Sequence, residues 1–165
     1  MSKAKTLPAG VLKILNERLK DEYYAFYLYK SIGNWCKNHG FDKAAEYFSA
    51  ESSDELSHAK MIEDFIVLWN GTPNLPAISK PILEFESLAQ IIDTAYDVEY
   101  ELYEMYEKDS KDIFEMGDIC TFDFLKFFRE VQTKSVGEYA DMKNILEGVD
   151  TSSKFEMLLL EKKLF

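Results

Sequence analysis

Gly71-Thr72-Pro73-Asn74-Leu75-Pro76, followed by Lys80-Pro81, cuts this sequence into two halves and decides its architecture. The chain carries only 7 Gly and 4 Pro, so a stretch that gathers three of the prolines marks one long interruption between otherwise continuous elements. Upstream of it, Leu12, Leu15, Leu19, Glu22, Phe26 and Tyr29 recur at intervals of three and four, which puts them on one stripe of a helix. Pro8 suits the first turn of that helix, where a missing N–H costs nothing. After a turn at Asn38-His39-Gly40 the stripe resumes as Ala45, Phe48, Ser52, Glu55, Ala59, Ile62, Ile66 and Trp69, a second helix of about 28 residues. The turn is short, so these two helices are expected to be antiparallel neighbours.

Downstream, Ser87 with Gln90 three residues later forms a capping box that opens a third stripe: Leu88, Ile92, Ala95, Glu99, Leu102 and Tyr106. A fourth follows the Gly117-Asp118 break, with Leu125, Phe128, Gln132, Ser135, Tyr139, Met142 and Leu146 on its seam and Gly148 near its end. Roughly 16 residues separate the second and third stripes, whereas a bundle hairpin takes about 2–8. A helix of about 28 residues is ~42 Å long, and an extended segment of a dozen or more residues can return along it, so the second and third helices are expected to run parallel. Ser153-Lys154-Phe155-Glu156 is a further capping box, leading into Met157-Leu158-Leu159-Leu160. Four adjacent apolar residues cannot all face one side of a helix, so this tail points to self-association, unless it simply folds back on the bundle. The expectation is an all-α, single-domain chain over residues 1–165: a four-helix bundle at about 8–148 with a long crossover between helices two and three, and a short fifth helix at about 153–164.

Composition excludes several classes. Hydrophobic residues make up 47%, yet no run approaches the ~18 apolar residues of a membrane span, and Met1-Ser2-Lys3-Ala4-Lys5 carries no apolar leader stretch. A cytoplasmic protein with no membrane partner is expected. The net charge of -11 argues against nucleic acid, whose phosphates reward Lys and Arg, and agrees with attraction of cations. Cys36 and Cys120 are expected as reduced thiols without assigned chemistry.

Each of the four apolar stripes is interrupted near its middle by a residue able to bind a metal: Glu22, Glu55, Glu99 and Gln132. They are expected to meet at one level of the bundle. Burying three carboxylates together costs several kcal/mol per ion, so they need protons, cationic partners or a metal, and no Lys or Arg lies on these stripes within a turn of them. His58, three residues after Glu55, shares its helix face. The two halves read as copies of one helix-pair unit, because Glu22 to Glu55 and Glu99 to Gln132 span the same 33 positions. The second copy has Ser135 where the first has His58, giving Gln132-Thr133-Lys134-Ser135 in place of Glu-x-x-His. An unequal pair of metal positions follows: a full donor set at Glu22, Glu55 and His58, and a weaker one at Glu99 and Gln132, with or without a shared Glu55. Oxygen donors with one imidazole suit Fe, Mn or Zn. Tyr29, seven residues beyond Glu22, is placed to hydrogen-bond a ligand carboxylate or to donate an electron, unless it is simply core.

Asp21-Glu22-Tyr23-Tyr24-Ala25, Asp54-Glu55-Leu56-Ser57-His58 and Ala95-Tyr96-Asp97-Val98-Glu99 resemble the ferroxidase segments of bacterial non-haem ferritins, and the similarity runs from about Leu7 to the end. The resemblance implies an iron storage protein that oxidises Fe(II) with dioxygen or hydrogen peroxide at a di-iron centre and keeps Fe(III) as a mineral. It carries Glu22, Glu55 and His58 over as the first iron site, Glu99 and Gln132 as the second, and Tyr29 as the tyrosine beside them. It further implies a homo-oligomeric cage of ~24 subunits with the fifth helix at a symmetry axis. Haem is not expected, since Leu56 stands where haem-binding relatives carry a ligating methionine. The accessory third iron site of many such ferritins is expected to be missing or rebuilt, because its positions look like Asp54, Val131, Lys134 and Ser135. Asp118 and Asp123 are candidates for a pore. Two rivals stay open: a rubrerythrin-like di-iron peroxidase or oxidase, which usually shows two Glu-x-x-His motifs, and a structural bundle in which the four seam residues are accidental.

Overall fold

The computed structural model describes residues 4–165, so the Met1-Ser2-Lys3 part of the N-terminal reading lies outside the described residues. Five helices and no strand occur among the described residues: α1 (Ala9–Asn38), α2 (Asp42–Leu68), α3 (Leu88–Glu115), α4 (Ile119–Leu146) and α5 (Lys154–Leu164). Every element expected from the stripes is present. Helices α1 and α3 end alike. Gly40 and Gly117 take left-handed backbone at φ 83° and 78°, and the next residue's N–H reaches back to a carbonyl five residues earlier, Phe41 to Cys36 at 2.9 Å and Asp118 to Ile113 at 3.2 Å. These are Schellman endings, which satisfy carbonyls the helix itself leaves unpaired. Helix α2 ends the same way with Asn70 in the left-handed position, followed by Gly71 N–H donating to Ile66 at 2.9 Å. A side chain at Gly71 would force a local shift, since a Cβ would lie 2.8 Å from the Ile66 side chain and 3.1 Å from its carbonyl oxygen.

The residues form two compact units. The first runs as far as Gly33 and adds Glu46–Ile82. Within it α1 and α2 are antiparallel: Tyr29 packs near Phe48, Ser52 Oγ donates to the Phe26 carbonyl at 3.0 Å, and Tyr23 donates to Glu63, so positions fall on α1 as they rise on α2. Leu15, Leu19, Leu28, Ile32, Phe48, Ile62 and Ile66 are fully buried. Each such side chain contributes roughly 1.5–3 kcal/mol before chain entropy is counted. The segment after α2 is held to α1 by Asn74 N–H donating to Asn16 at 2.8 Å and Ser31 donating to the Ile82 carbonyl at 2.5 Å, and to the residues before α1 by Asn70 donating to the Lys5 carbonyl at 3.0 Å.

The second unit comprises Asn34–Ala45 and Leu83–Phe165. Here α3 and α4 pair antiparallel through Phe114 with Phe122, Tyr106 stacked on Phe128 at 5.1 Å, and Lys143 with Asp93. Three helices of this unit start with side-chain caps: Ser87 accepts from Gln90 N–H, Asp118 from Thr121 and Ser153 from Glu156. Each cap contributes about 1 kcal/mol. Helix α5 buries Met157, Glu161 and Leu164 while Phe155, Leu158 and Leu159 stay exposed, as the four-residue apolar run requires. Glu161 Oε1 accepts the Ala44 N–H at 2.9 Å, so a tail carboxylate sits on the positive end of α2.

Candidate metal centre

Glu22 on α1 and Glu55 and His58 on α2 come together inside the first unit, with one ligand atom from each within 4.8 Å of the others. Helix geometry explains the convergence. Glu55 and His58 are three residues apart and share a face of α2, while antiparallel pairing brings Glu22 level with them. Glu22 is wholly buried and Glu55 is 3% exposed, and the His58 side chain is 12% exposed. His58 Nδ1 lies 2.9 Å from Glu55 Oε2 and 3.5 Å from Glu22 Oε2.

One ring nitrogen thus faces two carboxylates. Burial alone would lower the pKa of His58, but hydrogen bonds to Glu22 and Glu55, with the charge of both, outweigh it and push it up to about 10. A proton on Nδ1 and a divalent cation would neutralise the same carboxylate oxygens, so the two compete for this site. Two carboxylates and one imidazole form a donor set suited to Fe(II) or Zn(II), with coordination positions left for solvent or oxidant.

The remaining seam residues lie in the second unit. Glu99 on α3 is wholly buried and Gln132 on α4 is 2% exposed. Gln132 Oε1 has no hydrogen-bond partner among the described residues. A buried carbonyl oxygen left that way costs about 1–3 kcal/mol, a cost that a cation in contact with it would remove. Tyr29 is wholly buried, its ring 5.8 Å from that of Phe48. Asp54 and Lys134, two positions of the accessory site, are exposed, and Lys134 pairs with Glu138 at 3.4 Å.

One expectation is corrected. A cation does lie on the first seam: Arg18, one turn before Glu22, is 6% exposed and pairs with Asp21 at 3.0 Å. Arginine buries its head where a fixed carboxylate meets it, and Asp21 supplies one in the adjacent turn. Asp109, also 6% exposed, continues the third seam three residues past Tyr106 and was readable by extending that stripe. Glu161 had no such signal, because its contact with Ala44 spans 117 positions.

The family model for a ferritin-like domain matches residues 12–149. The chain belongs to the ferritin family. A probable bacterial non-heme ferritin-like protein of Haemophilus influenzae is 25% identical over 158 residues, covering 96% of this chain and 95% of that one. A bacterial non-heme ferritin of Campylobacter jejuni is 28% identical over 122 residues, 74% of this chain and 73% of that one. The ferritin fold is equally evident in structure: an open pore ferritin from Archaeoglobus fulgidus superposes with a TM-score of 0.88 over 96% of both chains, at 23% identity. The all-α four-helix fold with a short C-terminal helix is therefore that of the ferritins. Family and fold together support iron storage, and no helix among the described residues is long and apolar enough to cross a membrane.

Proposed function

We propose that the chain is an iron storage ferritin with ferroxidase activity. Fe(II) is its substrate. The observation that carries this reading is the buried Glu22, Glu55 and His58 cluster, in which one ligand atom from each residue lies within 4.8 Å of the others. Glu22, Glu55 and His58 hold one iron, and Glu99 and Gln132 hold the second more weakly, Gln132 offering a neutral oxygen that lacks a hydrogen-bond partner among the described residues. The carboxylates stabilise the charge that rises as Fe(II) becomes Fe(III), and dioxygen or hydrogen peroxide accepts the electrons. Tyr29, buried seven residues after Glu22, orients a ligand carboxylate or supplies one electron. Unequal donor sets favour onward passage of Fe(III): the weaker position releases iron as hydrous oxide, whereas a resident di-iron enzyme needs both positions strong.

Storage needs an enclosed volume, and a homo-oligomeric cage, of ~24 copies as the family resemblance implies, supplies it. The exposed Phe155, Leu158 and Leu159 of α5 are apolar area suited to contacts between copies. The cytoplasm, where Fe(II) is available to a protein with two free thiols, is the compartment that fits.

An aerobic Fe(II) titration of the sized protein tests the proposal by following oxygen consumption and Fe(III) absorbance. Wild type is expected to oxidise iron and keep it soluble in a large assembly, while Glu55→Ala and His58→Ala oxidise it no faster than buffer. A small oligomer whose iron oxidation is unaffected by either substitution would defeat the reading.

A further inference from the structure

Three tyrosines on α3 form a ladder that the proposed iron chemistry leaves unused. The rings of Tyr96 and Tyr100 are stacked at 5.9 Å and 20°, and those of Tyr100 and Tyr103 lie 6.0 Å apart at 40°. The ladder flanks Glu99: Tyr96 is three residues before it and Tyr103 four after, one helical turn in each direction. These rings are not core. Tyr100 is 41% exposed, and Tyr96 and Tyr103 are half-buried. None of the three hydroxyls has a hydrogen-bond partner among the described residues, so a proton lost from any of them goes to solvent.

The ladder also has a direction. Lys143 Nζ sits 4.9 Å from the centroid of Tyr96, and a cation over a ring disfavours removing an electron from it. Asp93 pairs with Lys143 and offsets part of that charge. Among the described residues no such cation lies over Tyr100 or Tyr103, so an electron hole shared among the three rings settles on them, and Tyr100 is the most exposed of the three. Tunnelling between rings this close is fast because it decays steeply with distance.

We propose that Tyr96, Tyr100 and Tyr103 carry single oxidising equivalents from iron held at Glu99 to the protein surface, where the radical comes to rest on Tyr100 and Tyr103. This rests on the reading that Glu99 serves iron. The need arises when hydrogen peroxide, a two-electron oxidant, meets one Fe(II) and not two. Iron then gives one electron and a tyrosine gives the other: Fe(II), H2O2, the tyrosine O–H and one proton yield Fe(III), a neutral tyrosyl radical and two waters. The O–O bond breaks, the phenolic O–H breaks, and no hydroxyl radical is released into the interior. A soluble one-electron reductant of the thiol or ascorbate class restores the surface tyrosine by giving it an electron as solvent returns the proton.

The test uses the assembled protein, loaded anaerobically with one Fe(II) per chain, mixed with stoichiometric hydrogen peroxide and freeze-quenched for electron paramagnetic resonance. Wild type is expected to give a tyrosyl signal, and in a parallel sample an added nitroso spin trap is expected to leave adducts that mass spectrometry maps to Tyr100 and Tyr103. The double variant Tyr100→Phe/Tyr103→Phe loses most of that signal while oxidising iron at the wild-type rate, and Tyr96→Phe keeps it. Lys143→Gln moves part of the signal to Tyr96. An undiminished radical in the triple Phe variant, removed only by Tyr29→Phe, overturns the ladder and leaves the iron reading standing. A wild type that oxidises no iron overturns both.

Discussion

Binding of a divalent cation to Glu22, Glu55 and His58 is expected to release close to one proton per site at neutral pH. The metal-free pair holds that proton on His58 Nδ1, 2.9 Å from Glu55 and 3.5 Å from Glu22, and the carboxylates raise the imidazole to about 10 from its ordinary 6.5. A cation and that proton compete for the same atoms, so apparent affinity rises about tenfold per pH unit below 10, or ~100-fold between pH 6 and 8, which is about 2.7 kcal/mol. Co(II) is the suitable probe, since it avoids oxidation by air during the measurement. Calorimetry in two buffers of different ionisation enthalpy counts the protons directly, and His58→Gln should abolish the release. The stability of the metal-free protein has the opposite sign: a folded pKa raised above the unfolded value contributes fully below about 6.5 and is lost as pH climbs toward 10. Affinity flat across pH 6–8, with less than about half a proton released, would show that His58 is neutral in the metal-free protein and refute the argument.

Three further expectations are independent of metal. Glu161→Ala leaves the Ala44 N–H unsatisfied and should cost about 1–3 kcal/mol, seen as faster amide exchange in α5 and the start of α2, whereas Glu161→Gln keeps an acceptor and much of the protection. Phe128→Ala removes the ring stacked on Tyr106 in the buried part of the α3–α4 pair and should lower unfolding free energy by about 3–5 kcal/mol in chemical denaturation. Cys120 is exposed while Cys36 is wholly buried, with burial and the nearby Glu161 charge raising its pKa to about 12; alkylation of the folded protein at pH 8 should label Cys120 alone by mass spectrometry.

Helix positions were legible because their signals are local. Ser87, Asp118 and Ser153 all cap as their side chains allow, and the three-and-four spacing located every buried seam. Glu22, Glu55 and Glu99 were legible for a related reason: three carboxylates in otherwise apolar stripes violate the burial rule unless something neutralises them, and His58 followed from its three-residue spacing to Glu55. What stayed hidden was non-local. Arg18 is not among the residues that define the first stripe, and its pairing with Asp21 places it inside, since a long charged side chain is buried or exposed according to what meets its head. Glu161 was a polar residue in a leucine-rich tail, and only folding revealed that it faces the first turn of α2. The tyrosine ladder was readable as spacing, but ring distances and the overlying Lys143 were not.

The three hydrogen bonds that tie the segment after α2 to α1 and to the residues just before it, at Asn70, Asn74 and Ile82, have a bearing on how this chain tolerates change. They make the crossover a fitted strap and not slack rope. Loop-closure entropy alone would let a few extra residues in at little expense. With both ends and the middle fastened, an insertion between Gly71 and Ile82 must unfasten at least one tie or bulge between two. Length variants of this segment should therefore be rarer among viable mutants than substitutions within it, and the most permissive point should be Ala77 to Lys80, between the ties at Asn74 and Ile82.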